Sequence, residues 1–200
     1  MMVAFAVVLL VSLPVCAWGG CAVAGSGWGF PMAAYAFFAT LAFGSAFTAA
    51  MCRMYGLTAL APFFRRAVWL AMVAGLLSFA LLACVVAAPW RLLVYSAITP
   101  NPTANLWWLV VLTGMMLGCL FLLVVLLGSA NGDTDTVGQY VFLFVAAVAA
   151  FGANNNLAAL LAGMVDPPLW SGLQALILFC ASTILAGCSL AVVGGQAVRA

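Results

Sequence analysis

The chain has 200 residues, five Arg, three Asp and no Lys, Glu or His, and 69% of it is hydrophobic. With 4% charged residues it lacks the roughly 25% that a soluble domain uses to face water. Apolar windows long enough to span a bilayer recur along its length, so the fold class is all-α, a polytopic transmembrane helix bundle. The missing His excludes the commonest axial ligand of haem and the usual near-neutral proton carrier. The three acids, Asp133, Asp135 and Asp166, all fall in expected loops. An ion or proton pump keeps ionisable groups inside the membrane, and a small transporter is disfavoured accordingly.

About six helices are expected, beginning with a short apolar segment at residues 2–18. That segment reads as a retained signal anchor, or as a signal peptide cleaved near Val15-Cys16-Ala17; no Arg or Lys precedes it. Residues 1–27 thus form an N-terminal segment ahead of a bundle at 28–200. Cys16 and Cys21 lie near one surface and would pair if that surface is oxidising. The other cysteines read as small buried hydrophobes, because no CxxC spacing occurs.

The second helix is expected at 28–52, with Trp28 at an interface and Pro31 in the first turn, where a missing N–H costs least. Its Gly44, Ser45 and Ala46 permit close helix approach. A loop with Arg53, Arg65 and Arg66 follows, then a helix at 67–88. Next comes the most unusual stretch, residues 85–106, VVAAPWRLLVYSAITPNPTANL. Arg91 there reads either as a snorkelling anchor or as a contact for an anionic group, a carbonyl or a docked subunit. Asn101-Pro102-Thr103-Ala104-Asn105 reads as a turn and helix cap, with Thr103 or Asn105 accepting N–H bonds.

The helix at 105–128 opens on Trp107-Trp108 and holds a GxxxG pattern at Gly114 and Gly118, a common packing motif. The helix at 137–165 carries Asn154, Asn155 and Asn156. Consecutive residues turn about 100° apart, so three amides cannot share one neighbour. Interhelical bonding, a polar pocket or local unwinding are the alternatives, since an unsatisfied amide in hydrocarbon costs several kcal/mol. A last helix follows at 169–194. Six helices put Arg53, Arg65, Arg66 and Arg199 on one side, cytoplasmic by the positive-inside rule, and Arg91 outside.

Three segments resemble a known family. WGFPMAAYAFFATLAFG (28–44) is similar to the Trp-Gly-x-Pro start of the NrfD/polysulfide-reductase membrane subunits. APWRLLVYSAITPNPTANLWW (88–108) resembles their Arg-containing segment and Asn-Pro-Thr loop, and PPLWSGLQALILFCASTILAG (167–187) their Pro-x-Trp segment. Order and spacing agree over about 28–193. The resemblance implies an anchor for a ferredoxin-like iron–sulfur subunit and a molybdenum-type catalytic subunit in the inner membrane. It further implies a site for quinone or quinol (menaquinone or ubiquinone), no haem and no metal bound by this chain.

Carried over by position, Trp28, Tyr35, Arg91, Asn101 and Thr103 match motif residues. Arg91 would orient a quinone carbonyl or the docked subunit, and Tyr35 would donate a hydrogen bond. Asn154, Asn155 and Asn156 join the candidates from polarity alone. Two departures stand out. Where the family reads Asp-Leu-Gly-Arg-Pro, this chain has Val85, Val86, Ala87, Ala88 and Pro89, which removes an acid from any proton path. The family commonly has eight or more helices. A non-catalytic anchor or assembly subunit without its own quinone site is therefore the competing expectation. The partners are membrane lipid and protein subunits, not nucleic acid.

Overall fold

The computed structural model describes residues 30–56, 61–85, 98–129, 137–164 and 173–199. These form five helices and no strand: α1 Phe30–Met54, α2 Ala61–Val85, α3 Asn105–Ser129, α4 Val137–Met164 and α5 Leu173–Arg199. Each of the first three has 25 residues, a length of about 38 Å at 1.5 Å per residue against a hydrocarbon core of about 30 Å. Four helices are long and apolar enough to cross a membrane, and α5 contributes a shorter apolar segment, Leu176–Ser189. The architecture is that of a multi-pass membrane protein. The expected helix at 2–18, and with it a sixth span, lies outside the described residues.

α1 is the hub, packed against α2, α4 and α5, while α3 packs mainly on α4. Small residues make this possible. Ala39, Ala42, Ala46 and Ala49 recur along one stripe of α1, and Ala67, Ala71 and Ala74 along one stripe of α2, all fully buried. With no long side chains between them, the two backbones approach closely and gain dispersion contacts that lipid cannot supply. α3 and α4 bury larger side chains instead, Leu109, Met116, Leu120, Leu123, Leu143 and Leu157. Val141, Phe144, Val148 and Phe151 line the opposite stripe of α4 and are exposed. Such a row of large exposed apolar side chains suits lipid and not water.

The helix ends follow local chemistry. α1 stops at Gly56, whose φ of 61° is the left-handed conformation that ends many helices; Tyr55 N–H bonds to Met51 O and Gly56 N–H to Arg53 O. α2 begins at Ala61, six residues before the expected start, so Arg65 and Arg66 sit on a helix and not in a loop. Pro62 is tolerated in the first turn, and Phe63 and Phe64 are buried, so the apolar stripe begins ahead of the two exposed arginines. α5 likewise continues to Arg199, through the Gly194-Gly195 pair.

Neighbours in sequence run antiparallel. The Arg53 guanidinium lies 5.6 Å from the Phe64 ring and 5.9 Å from the Tyr140 ring, and Arg65 donates to Leu127 O at 2.8 Å. The end of α1, the start of α2, the end of α3 and the start of α4 therefore share one end of the bundle. α5 runs parallel to α1, because Gly44 meets Thr183 and Gly187 while Gly187 also meets Thr48. The close approach expected at Gly44 is realised here. Gly114 and Gly118, by contrast, face outward, with open space where a Cβ would stand; the GxxxG pattern packs nothing within the described chain.

Candidate functional site

The polar centre of the molecule lies between α4 and α5. Asn154 is 1% exposed and Thr183 7%, and the Thr183 hydroxyl donates to Asn154 Oδ1 at 2.8 Å. Asn154 Nδ2 points to Cys180 Sγ at 3.8 Å, and the Cys180 thiol in turn donates to Asn155 Oδ1 at 3.5 Å. Asn156 turns back along its own helix and donates to Gly152 O at 2.8 Å. The three amides thus divide their duties. Asn154 joins helices, Asn155 receives a weak thiol bond, and Asn156 satisfies itself locally. α4 stays helical throughout, so interhelical bonding takes the place of local unwinding.

Cys180 and Thr183 are the site residues that the sequence reading missed. They lie three apart on α5, hence on one face, and Gly187 continues that face one turn on. The available signal was complementarity: a buried Asn requires polar partners on a neighbouring helix. Two other buried hydroxyls bond to their own helix instead, Ser45 to Leu41 O and Ser78 to Gly75 O, the usual refuge of Ser and Thr inside apolar helices.

The cluster opens into a cavity of about 40 Å³ lined by Phe43, Phe47, Ala150, Phe151, Asn154, Cys180, Thr183 and Ile184. Phe151 is 53% and Ile184 49% exposed, so the mouth faces lipid. A buried water needs roughly 15 Å³, which gives room for two or three waters and not for a ring. Asn154 Nδ2 turns one N–H to Cys180 Sγ and has a second to give, whereas the Cys180 thiol proton is taken by Asn155 Oδ1.

The other candidates are spread out. Tyr35 is 2% exposed and lies five residues into α1, about 7 Å from its start. Asn154 is ten residues from the end of α4, about 15 Å deep. Asn101, Pro102 and Thr103 are exposed and form a turn in which Ala104 N–H bonds to Asn101 O at 3.1 Å. The Thr103 hydroxyl donates to Asn101 Oδ1 at 2.6 Å, and the first α3 amides bond to Ala104 O. Thr103 thus closes the turn from within and does not cap the helix. Thr103→Val should cost at most about 1 kcal/mol, the net worth of an ordinary hydrogen bond, measurable as a small shift in thermal unfolding. Trp28 and Arg91 lie outside the described residues.

One convergence is structural. α1, α3 and α5 run parallel and all begin at the end opposite Arg53 and Arg65. The described parts of the three segments at 28–44, 88–108 and 167–187 therefore start from a common face. No family model, curated protein or solved structure matches the chain.

Proposed function

We propose that this chain is the membrane subunit of a respiratory oxidoreductase complex. It anchors a ferredoxin-like iron–sulfur subunit, with a molybdenum-type catalytic subunit beyond, and exchanges electrons between membrane quinone or quinol and the docked clusters. The observation that carries this reading is the order and spacing of the three family-like segments, and their described parts all begin at one end of the bundle, as a single docking face would need. The lipid-open cleft at Asn154 supports it further, as a polar site reachable by a lipid-soluble carbonyl compound. By the positive-inside rule the Arg53, Arg65 and Arg66 end faces the cytoplasm of a bacterial-type inner membrane, with the Arg91 segment opposite.

A second reading, an anchor and assembly subunit with no quinone site of its own, is favoured by two observations: the small volume of the cavity beside Asn154, and Val85 where the family has an acid. Both readings predict co-purification with an iron–sulfur subunit, and its absence overturns both. They part on Arg91→Ala in the intact complex. The first reading expects quinol-linked turnover to fall about tenfold or more, as when a charge-assisted hydrogen bond is lost, with dye-linked turnover unchanged. Equal quinol turnover in the variant removes Arg91 as a quinone contact, and a quinone-site inhibitor that binds the complex equally well without this chain establishes the second reading.

A further inference from the structure

At the arginine end, α2 and α3 leave a groove of about 300 Å³ lined by Arg65, Val68, Trp69, Val124 and Leu127. That volume is at the lower end of the roughly 300–1,000 Å³ usual for small-molecule sites. Arg65 Nη2 bonds to Leu127 O, one of the last four carbonyls of α3, which lack partners within the helix. This bond uses one of the five N–H donors of a guanidinium and fixes the head group against the groove. Arg65 is exposed and Trp69 is 52% exposed. Val68, Val124 and Leu127 supply an apolar floor that runs toward the bilayer centre.

Depth identifies what meets this groove. Trp107 and Trp108, edge to face at 4.7 Å, stand at the start of α3, and Trp108 Nε1 donates to Pro102 O, as expected of an interfacial aromatic pair. Leu127 is nineteen residues beyond Trp108, about 28 Å along the helix, close to the hydrocarbon thickness of about 30 Å. Arg65 and Trp69 therefore sit at the opposite boundary, at headgroup level. Among the described residues, the charged ones at this end are Arg53, Arg65, Arg66 and Arg199, all positive.

We propose that this groove is a binding site for an anionic phospholipid, with the headgroup phosphate on Arg65, the glycerol region against Trp69 and the first acyl carbons on Val68, Val124 and Leu127. Arg65 then serves two partners, holding the α3 carbonyl with one donor and the phosphate with others. Arg66, adjacent in sequence, points about 100° away around α2 and does not line the groove.

The test uses the purified full chain in detergent micelles with equal amounts of phosphatidylglycerol and phosphatidylcholine. The lipid retained after size-exclusion chromatography is quantified by mass spectrometry. Wild type should retain phosphatidylglycerol over phosphatidylcholine by about fivefold, the attraction of one basic side chain at a membrane surface. Arg65→Gln, which keeps a donor for Leu127 but no charge, should abolish the preference, and Arg66→Gln should keep it. Equal retention of the two lipids by wild type overturns the proposal, and so does a preference that survives Arg65→Gln. Loss of the preference in excess inorganic phosphate overturns the lipid assignment in favour of a free anion. If Arg65→Gln does not fold, the wild-type competition decides alone.

Discussion

Replacing Gly44 with leucine is expected to detach α5 from α1 and, together with Gly187→Leu, to be among the costliest single changes in the bundle. A Cβ built on Gly44 meets the Thr183 carbonyl oxygen, with Gly187 N at 3.0 Å. A Cβ on Gly187 meets Thr48 Oγ1 and the Gly44 carbonyl. These obstacles are mostly backbone, so no side-chain rotation clears them and the helices must separate. Overpacking a core typically costs about 1–3 kcal/mol, and a collision with main chain belongs at the upper end or beyond. Thermal unfolding in detergent should show Gly44→Leu and Gly187→Leu with strongly lowered midpoints. Gly114→Ala and Gly118→Ala provide the contrast. An added Cβ meets nothing at either position, and Ala is the better helix former by about 1 kcal/mol, so neither variant should lose stability. A midpoint for Gly44→Leu equal to wild type would mean that α5 does not pack on α1 in this way.

The separation between Gly44 and Thr183 also explains how the polar cluster survives. Close approach of α1 and α5 holds Phe43 and Phe47 over the Asn154 cavity, which shields its hydrogen bonds from lipid on one side. Packing and polarity are thus one device. Loosening the glycine contact should weaken the Asn154–Thr183 bond as well.

How much of this was legible beforehand depends on what each residue encodes. The spans near 28–52, 105–128 and 137–165 could be read because long apolar runs end in polar or Gly-rich breaks, and bilayer thickness sets their length. The start of α2 at Ala61 is not legible from charge, which marks a loop only where no buried stripe runs beneath it. Arg65 and Arg66 instead ride an exposed helical face behind two buried phenylalanines. Gly44 was read correctly as a contact and Gly114–Gly118 could not be oriented, for one reason: a helix that is apolar all round carries no record of which face turns inward. Asn154 announced that a partner was needed, yet nothing local to α4 could name α5 as its source. Cys180 reads in the sequence as a space-filling hydrophobe, whereas its thiol is donor to one amide and neighbour to another.

Asn154→Leu is the second large effect and the most discriminating. The change keeps the number and branching of heavy atoms but removes the acceptor of the Thr183 hydroxyl and the amide facing Cys180. Thr183 falls back on a carbonyl of its own helix, so the stability loss should be about 1–2 kcal/mol, at or above the upper range of single side-chain bonds between membrane helices. In the double variant Asn154→Leu/Thr183→Val both partners are apolar, and removing both ends of a hydrogen bond can be nearly neutral. The double variant should therefore regain most of the lost midpoint. Turnover then separates two roles for the cluster. If Asn154 offers its amide to a quinone carbonyl, the refolded double variant stays about tenfold down in quinol-linked activity, the equivalent of about 1.4 kcal/mol, with dye-linked activity intact. If the cluster only fastens α4 to α5, quinol-linked activity returns together with stability.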